Sequence, residues 1–242
     1  MDRIAKIYNR MPSLDWRHLT KSDVIEGQEF WEGTLKSMAP ALPGKNVLCL
    51  ASGGGQQSVV FGLLGANVTV VDVSEVQLEQ DRAVAREKGY SVACHNCSME
   101  DLSMFAAGAF DLVYQAVSCC FSEDPSVVYR EAARVLRPGG IYRVEHVNPQ
   151  THDVEPESWN GEGYLITVEC FGPHSEADGD DLEYTFTMAQ IFNGLVSNGF
   201  GIIEVADDPE NLGRADECTP GTVEHFDRFL STSFSVVCRK KG

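Results

Sequence analysis

The chain reads as an α/β protein built on a doubly wound, mostly parallel sheet. Three observations predict this. Between residues 45 and 148, short apolar segments alternate with helix-patterned ones. The apolar segments are nearly continuous, as expected of strands covered on both faces. The first of them runs straight into the turn Ala51-Ser52-Gly53-Gly54-Gly55.

The elements follow in order. Residues 46–50 are short and apolar, and a helix over 57–64 ends at Gly65. Residues 68–73 (VTVVDV) are β-branched and apolar. Ser74 opens a helix over 75–88 with Gln77 three residues on, the pattern of a capping box, and Gly89 closes it. A weaker strand is predicted over 90–93, then a clear one over 110–114 (FDLVY). Asp124 and Pro125 supply a cap and a first-turn proline for a helix over 126–136. Pro138-Gly139-Gly140 breaks that helix, and residues 141–147 form the next strand. Thr187 with Gln190 is a second capping box, with Gly199 at the helix end, and strands close the chain over 201–205 and 233–239. Residues 149–186 fit no element well and are expected to form an insertion, with a short strand over 164–168. Residues 1–44 are expected to form a separate cap, with a helix over 22–38.

Composition narrows the function classes. The 242 residues, 43% hydrophobic, can bury one sizeable core. Lys and Arg number 19 against 36 Asp and Glu, a net charge of −17. That surface repels phosphate backbones, so nucleic-acid binding is disfavoured. No apolar stretch has the length of a membrane span. Residues 1–10 are mixed and polar, and the eight cysteines lack a secreted-scaffold spacing. The expectation is a cytoplasmic, reduced protein.

In a doubly wound sheet, ligands bind at the carboxyl ends of the strands. Glycines there let the backbone turn sharply and let a ligand approach closely. Asp72 follows Gly55 by 17 residues, at the end of the second strand. An acid so placed accepts hydrogen bonds from ribose hydroxyls. A glycine turn with a strand-end acid points to a nucleoside-containing cofactor. The third glycine arrives too early for the dinucleotide pattern G-x-G-x-x-G.

The turn resembles the G-x-G-x-G motif of class I S-adenosylmethionine-dependent methyltransferases. Further stretches carry the same resemblance in the same order: VVDVS (70–74), CSMEDLS (97–103), FDLVYQAVSCCF (110–121) and EAARVLRPGGIYRV (131–144). The last is the most specific. Over residues 45–148 the chain is most similar to the ubiquinone/menaquinone-biosynthesis-type small-molecule methyltransferases. The resemblance implies a Rossmann-like sheet of seven strands with an N-terminal helical cap over 1–44, and a methyltransferase domain over 45–242 with its insertion at about 149–186. It implies S-adenosylmethionine as cofactor and a small-molecule acceptor. It places Ala51, Ser52, Gly53 and Gly55 at the methionine and ribose portions, Asp72 at the ribose, Ser98 and Met99 at the adenine, Gln115 at the methionine portion, and counts Val73 and Gln77 among the cofactor-binding residues.

Three departures stand out. Ala51 replaces the first glycine, which is tolerable if its dihedrals are ordinary. Cys49 stands where the family commonly has an acid, and Ser98 replaces the acid expected beside the adenine amine.

Methyl transfer from a sulfonium is an in-line displacement, governed by alignment and exclusion of water. A base is needed only if the acceptor carries a proton at reaction. His146 and Glu145 end the fifth strand and point to opposite faces. His146 is the candidate catalytic base, because its ordinary pKa suits neutral pH, and a purely structural role is the competing assignment. His152 and His174 lie in the insertion. Tyr8, Trp16, Phe30, Trp31, Trp159, Tyr164 and Phe171 would form an aromatic lid over an acceptor, or ordinary packing. Cys94-His95-Asn96-Cys97 has half a zinc spacing and no matching partner pair, so no metal site is expected. The run 176–181 (EADGDD) is expected to be a solvated loop. Two other functions compete: an NAD-type oxidoreductase, disfavoured by the early third glycine, and a non-catalytic binding or scaffold protein that keeps the fold.

Overall fold

The computed structural model describes residues 41–151, 154, 156–165, 175–178, 181–207, 219–226 and 228–242. The expected cap over 1–44 therefore lies almost wholly outside the described residues, as do His152, Phe171, His174 and the aromatic residues before position 41.

Five strands form the parallel part of the sheet: β1 (Asn46–Leu50), β2 (Asn67–Asp72), β3 (Val92–Asn96), β4 (Phe110–Gln115) and β5 (Leu136–Val147). Two antiparallel strands of four residues each follow in the insertion, β6 (Ser175–Asp178) paired with β7 (Asp181–Tyr184). Two further strands, β8 (Phe200–Asp207) and β9 (Ser233–Lys240), complete the main sheet. Its seven strands run in the order β3-β2-β1-β4-β5-β9-β8, with β9 antiparallel to both of its neighbours. The strand order reverses between β1 and β4, so a crevice opens at their carboxyl ends.

Alternation along the strands sorts the core into two layers. Leu48 and Leu50 of β1 face α3 (Pro125–Val135) and α4 (Met188–Ser197), with Val128, Tyr129, Ile191 and Leu195 buried against them. Val47 and Cys49 face the other way, toward α1 (Gln56–Leu63) and α2 (Glu75–Lys88), among Val59, Phe61, Leu78 and Val84. A last helical turn, α5 (Val223–Phe226), precedes β9.

The predicted N-terminal caps hold at α2, α3 and α4. Ser74 Oγ accepts from Gln77 N at the start of α2, and Gly89 ends it in the left-handed region. Such a cap contributes about 1 kcal/mol. Asp124 caps α3 with Pro125 in its first turn, and Thr187 and Gln190 form the full capping box of α4. Three expectations are corrected. The third strand begins at Val92 and runs to Asn96, two residues later than predicted. Leu136 leaves the helix and pairs with Phe110, so β5 starts before the Pro-Gly-Gly turn, with an irregularity in register there. Of the acidic run at 176–181, Glu176, Ala177, Asp178 and Asp181 lie in the paired strands β6 and β7 rather than in a loop. Tyr164 and Leu165 are outside any strand.

Candidate functional site

The crevice is built around the turn between β1 and α1. Ala51 has φ +48°, in the left-handed region, so its dihedrals are not the ordinary ones expected. An L-residue there costs on the order of 1 kcal/mol. Gly54 (φ +114°) and Gly55 (φ +85°) continue the turn, and Gly55 caps α1 with no side-chain cap of its own. Ser52 is buried, its Oγ donating to Leu50 O at 2.9 Å. Gly53 is required for a different reason: a Cβ there would stand 2.6 Å from Gln77 Cβ and 3.0 Å from the Asp72 carboxyl.

Asp72 organises this centre. Gly53 N donates to its Oδ2 and Ser74 N to its Oδ1, both at 2.8 Å. Burial raises its pKa, while backbone N–H groups of Ser74, Gly53 and Val73 work against that rise. Gln77 packs its side chain along the turn, and its carbonyl accepts from Gly54 N at 3.2 Å. The structure thus brings Ala51, Ser52, Gly53, Gly55, Asp72, Val73 and Gln77 into one neighbourhood.

The segment after β3 forms a second wall. Cys97 N donates to Asp72 O at 3.1 Å, which ties that segment to β2. Ser98 Oγ accepts from Glu100 N at 3.1 Å. Met99 Sδ lies 3.5 Å from Gln115 Nε2. Gln115 is fully buried. Its Nε2 donates to Ser118 Oγ at 2.8 Å, and its Oε1 accepts from Tyr142 Oη at 2.5 Å. Its side chain therefore braces β4 against β5, a role the sequence did not suggest. Arg134 on α3 holds the same wall: Nη1 donates to Phe105 O and Nη2 to Leu102 O, each at 2.7 Å, while Nε and Nη2 also bind Glu131.

Sequence reasoning missed Asp81. This carboxylate on α2 is fully buried. Its Oδ2 accepts from Gly54 N at 2.9 Å and its Oδ1 from Ser58 Oγ at 2.5 Å. A usable signal was present, because Asp81 stands three residues from both Leu78 and Val84, inside the apolar stripe of α2.

His146 is not placed as a solvent-facing base. It is 4% exposed, with Nε2 3.2 Å from Tyr129 Oη and its ring against Phe234. Burial, with the nearby Arg143 charge, pushes its pKa down to about 3. The ring is a neutral core residue at physiological pH. Glu145, on the opposite face, accepts from Arg143 Nη1 at 2.8 Å and from Ser233 Oγ at 3.0 Å.

Beyond the carboxyl end of β5, Asn148 N donates to Thr232 O and its Nδ2 to Ser231 O. The 156–165 segment lies against α5. There Trp159 and Tyr164 meet His225, Phe226 and Phe229, with ring centroids 4.7 to 5.8 Å apart. Tyr164 Oη lies 2.6 Å from His225 Nδ1, and Phe229 is 55% exposed. Among the described residues no three His, Cys, Asp or Glu gather as a metal site. Cys94 Sγ is directed at Leu78 O instead. Among the same residues no helix is long and apolar enough to cross a membrane.

Comparison with known proteins agrees with this geometry. Residues 48–144 match the family described as a methyltransferase domain. Over 114 residues the chain is 46% identical to an uncharacterized methyltransferase, YbaJ, of Bacillus subtilis, covering 47% of this chain and 45% of that one. Over 99 residues it is 36% identical to a ubiquinone biosynthesis O-methyltransferase of Aromatoleum aromaticum, covering 41% and 42%. The chain thus spans about half the length of the curated relatives it matches. A solved S-adenosylmethionine dependent methyltransferase from Mesorhizobium loti superposes with a TM-score of 0.70 at 21% identity, over 89% of this chain and 100% of that one. Residues 48–144 thus match the methyltransferase domain family, within a seven-stranded fold shared with that S-adenosylmethionine dependent methyltransferase.

Proposed function

We propose that the protein transfers a methyl group from S-adenosylmethionine to a small-molecule acceptor. The observation that carries this is the Gly53–Asp72–Ser74 arrangement at the carboxyl ends of β1 and β2. The residues present fit the cofactor. The space that a Cβ at Gly53 would fill adjoins the Asp72 carboxyl, so backbone and acid can both approach one ligand. Asp72 would accept from the ribose hydroxyls, with its carboxylate already oriented by two backbone donors. Ser98 and Met99 would flank the adenine, with Ser98 offering one neutral acceptor in place of a charge.

When bound, the cofactor supplies an electrophilic methyl carbon on a sulfonium. The chain aligns an acceptor and excludes water. We assign the acceptor side to Trp159, Tyr164, His225 and Phe229, which present an aromatic surface beyond β5. The Tyr164–His225 hydrogen bond gives that surface a group able to take a proton from an acceptor hydroxyl. His146, being buried and neutral, is given a packing role instead. Six cysteines among the described residues are free thiols. This supports a reducing, cytoplasmic setting, and the net charge of −17 argues against a nucleic-acid substrate.

Calorimetric titration with S-adenosylmethionine, S-adenosylhomocysteine and NAD tests the proposal. Micromolar binding of the first two without the third supports it. Binding of NAD alone would turn the assignment to hydride transfer, and binding of none would leave a fold without its cofactor.

A further inference from the structure

We propose that Asp81 is a positioning residue for the cofactor turn, and that its ionisation sets how tightly the cofactor is held. This rests on the cofactor assignment above. The turn has two successive glycines at positive φ, at the start of a helix with no side-chain cap of its own. The neighbouring helix supplies an acceptor: Asp81 accepts from Gly54 N in the turn and from the Ser58 hydroxyl in the first turn of α1. One carboxylate therefore spans the last residues of the turn and the first turn of α1. The next residue back, Gly53, donates to Asp72. Two acids on different elements divide the turn between them, one below it and one facing the ribose position.

The surroundings make Asp81 sensitive to pH. Cys49 on β1, Cys94 on β3, Tyr90 after α2 and Asp72 at the end of β2 are the titratable groups that interact with it. Tyr90 Oη also lies 3.2 Å from Ser58 Oγ. Among the described residues no ion pair reaches Asp81; its neighbour Arg82 pairs with Glu75 and Glu79. Burial, reinforced by Asp72, pushes the Asp81 pKa up to about 6 against the pull of its donors. Above that pH the carboxylate accepts both bonds. Below it a proton occupies one oxygen, and the turn loses an acceptor.

The test is the affinity for S-adenosylhomocysteine at pH 8.0 and 5.5, paired with the pH titration of the Gly54 amide proton in the cofactor-free protein. If the ionised form carries the affinity, wild-type binding weakens about fourfold across this interval, and the Gly54 amide titrates with a midpoint near pH 6. Asp81→Asn binds weakly at both pH values, and its profile is flat. Ser58→Ala, which removes a donor to the carboxylate while leaving it in place, moves the Gly54 midpoint upward. A merely structural role for Asp81 would not move that midpoint. An Asp81→Asn variant that keeps the wild-type profile would assign the titration to Asp72 and overturn the proposal, as would a pH-independent wild type. If Asp81→Asn fails to fold, an unchanged midpoint in Ser58→Ala overturns it equally. Absence of binding at either pH would reject the cofactor assignment, and the proposal with it. Binding without pH dependence rejects the proposal alone.

Discussion

Replacing His146 by glutamine should change how stability depends on pH more than it changes catalysis. The ring is buried beside Tyr129 and Phe234, with a pKa lowered from 6.5 to about 3. In the unfolded chain the same group takes up a proton below about pH 6.5. Between pH 6.5 and 3 the unfolded state therefore binds more protons, so this contribution is intact above pH 6.5 and is lost as pH falls. Each pH unit in that window is worth about 1.4 kcal/mol, so lowering the pH from 7.5 to 5.0 costs about 2 kcal/mol. Asp81 works in the opposite direction. Its folded pKa is raised to about 6 from 3.8, so the folded state gains protons first, and the same pH drop returns somewhat more than 1 kcal/mol. The two nearly cancel in the wild type, and the variant separates them. Urea denaturation followed by tryptophan fluorescence at both pH values should show His146→Gln losing about 2 kcal/mol less than wild type on acidification. Glutamine keeps a group able to bond Tyr129, so the variant should fold and retain its turnover. Equal pH dependence in the two proteins would refute the burial argument. A hundredfold loss of turnover with unchanged pH dependence of stability would restore His146 as a base.

Three further outcomes are expected. Asp72→Ala should weaken S-adenosylhomocysteine binding by at least about tenfold, because hydrogen bonds to a charged group contribute about 1.5–3 kcal/mol; unchanged affinity in calorimetry would end the ribose assignment. Gly53→Ala should weaken binding and lower the melting temperature together, since the new methyl would stand 2.6 Å from Gln77 Cβ; equal affinity and an equal melting temperature would show that the turn can shift without consequence. Trp159→Ala should raise the acceptor KM and leave cofactor affinity untouched once an acceptor is in hand. A change confined to cofactor affinity would move the aromatic surface to the other side of the reaction.

The parts of the fold that could be read ahead were those where local chemistry decides. VTVVD is β-branched and apolar, and Ser74, Asp124 and Thr187 each stand before a helix they cap. Asp72 was legible because a strand end and a glycine turn fix its place. Asp81 was only partly so: its spacing from Leu78 and Val84 marked it as buried, but the partner it serves appears only when the glycine turn is laid over it. Alternation put Glu145 and His146 on opposite faces but could not say which face was buried. That was decided by β9, whose Phe234 pairs opposite His146 and comes 88 residues later in the chain. Gln115 went the same way: its position at the end of β4 was clear, but the Tyr142 hydroxyl that claims its amide comes from the next strand. Ala51 shows a different limit, since a left-handed backbone at a residue with a Cβ is set by the turn as a whole.

The Arg134 strut joins two parts of the molecule that would otherwise respond separately to thermal agitation. The segment around Leu102 and Phe105 has no regular structure to stiffen it, and its carbonyls are held by a guanidinium rooted in α3. That helix is packed through Val128, Tyr129 and Ala132 into the central layer. That wall of the crevice should then open only when the centre of the sheet opens, as one cooperative unit. Lysine, a point charge without the planar fork, cannot span both carbonyls and Glu131 together. In terms of fluctuation, a loop of the kind usually first to fray has been given the lifetime of the core.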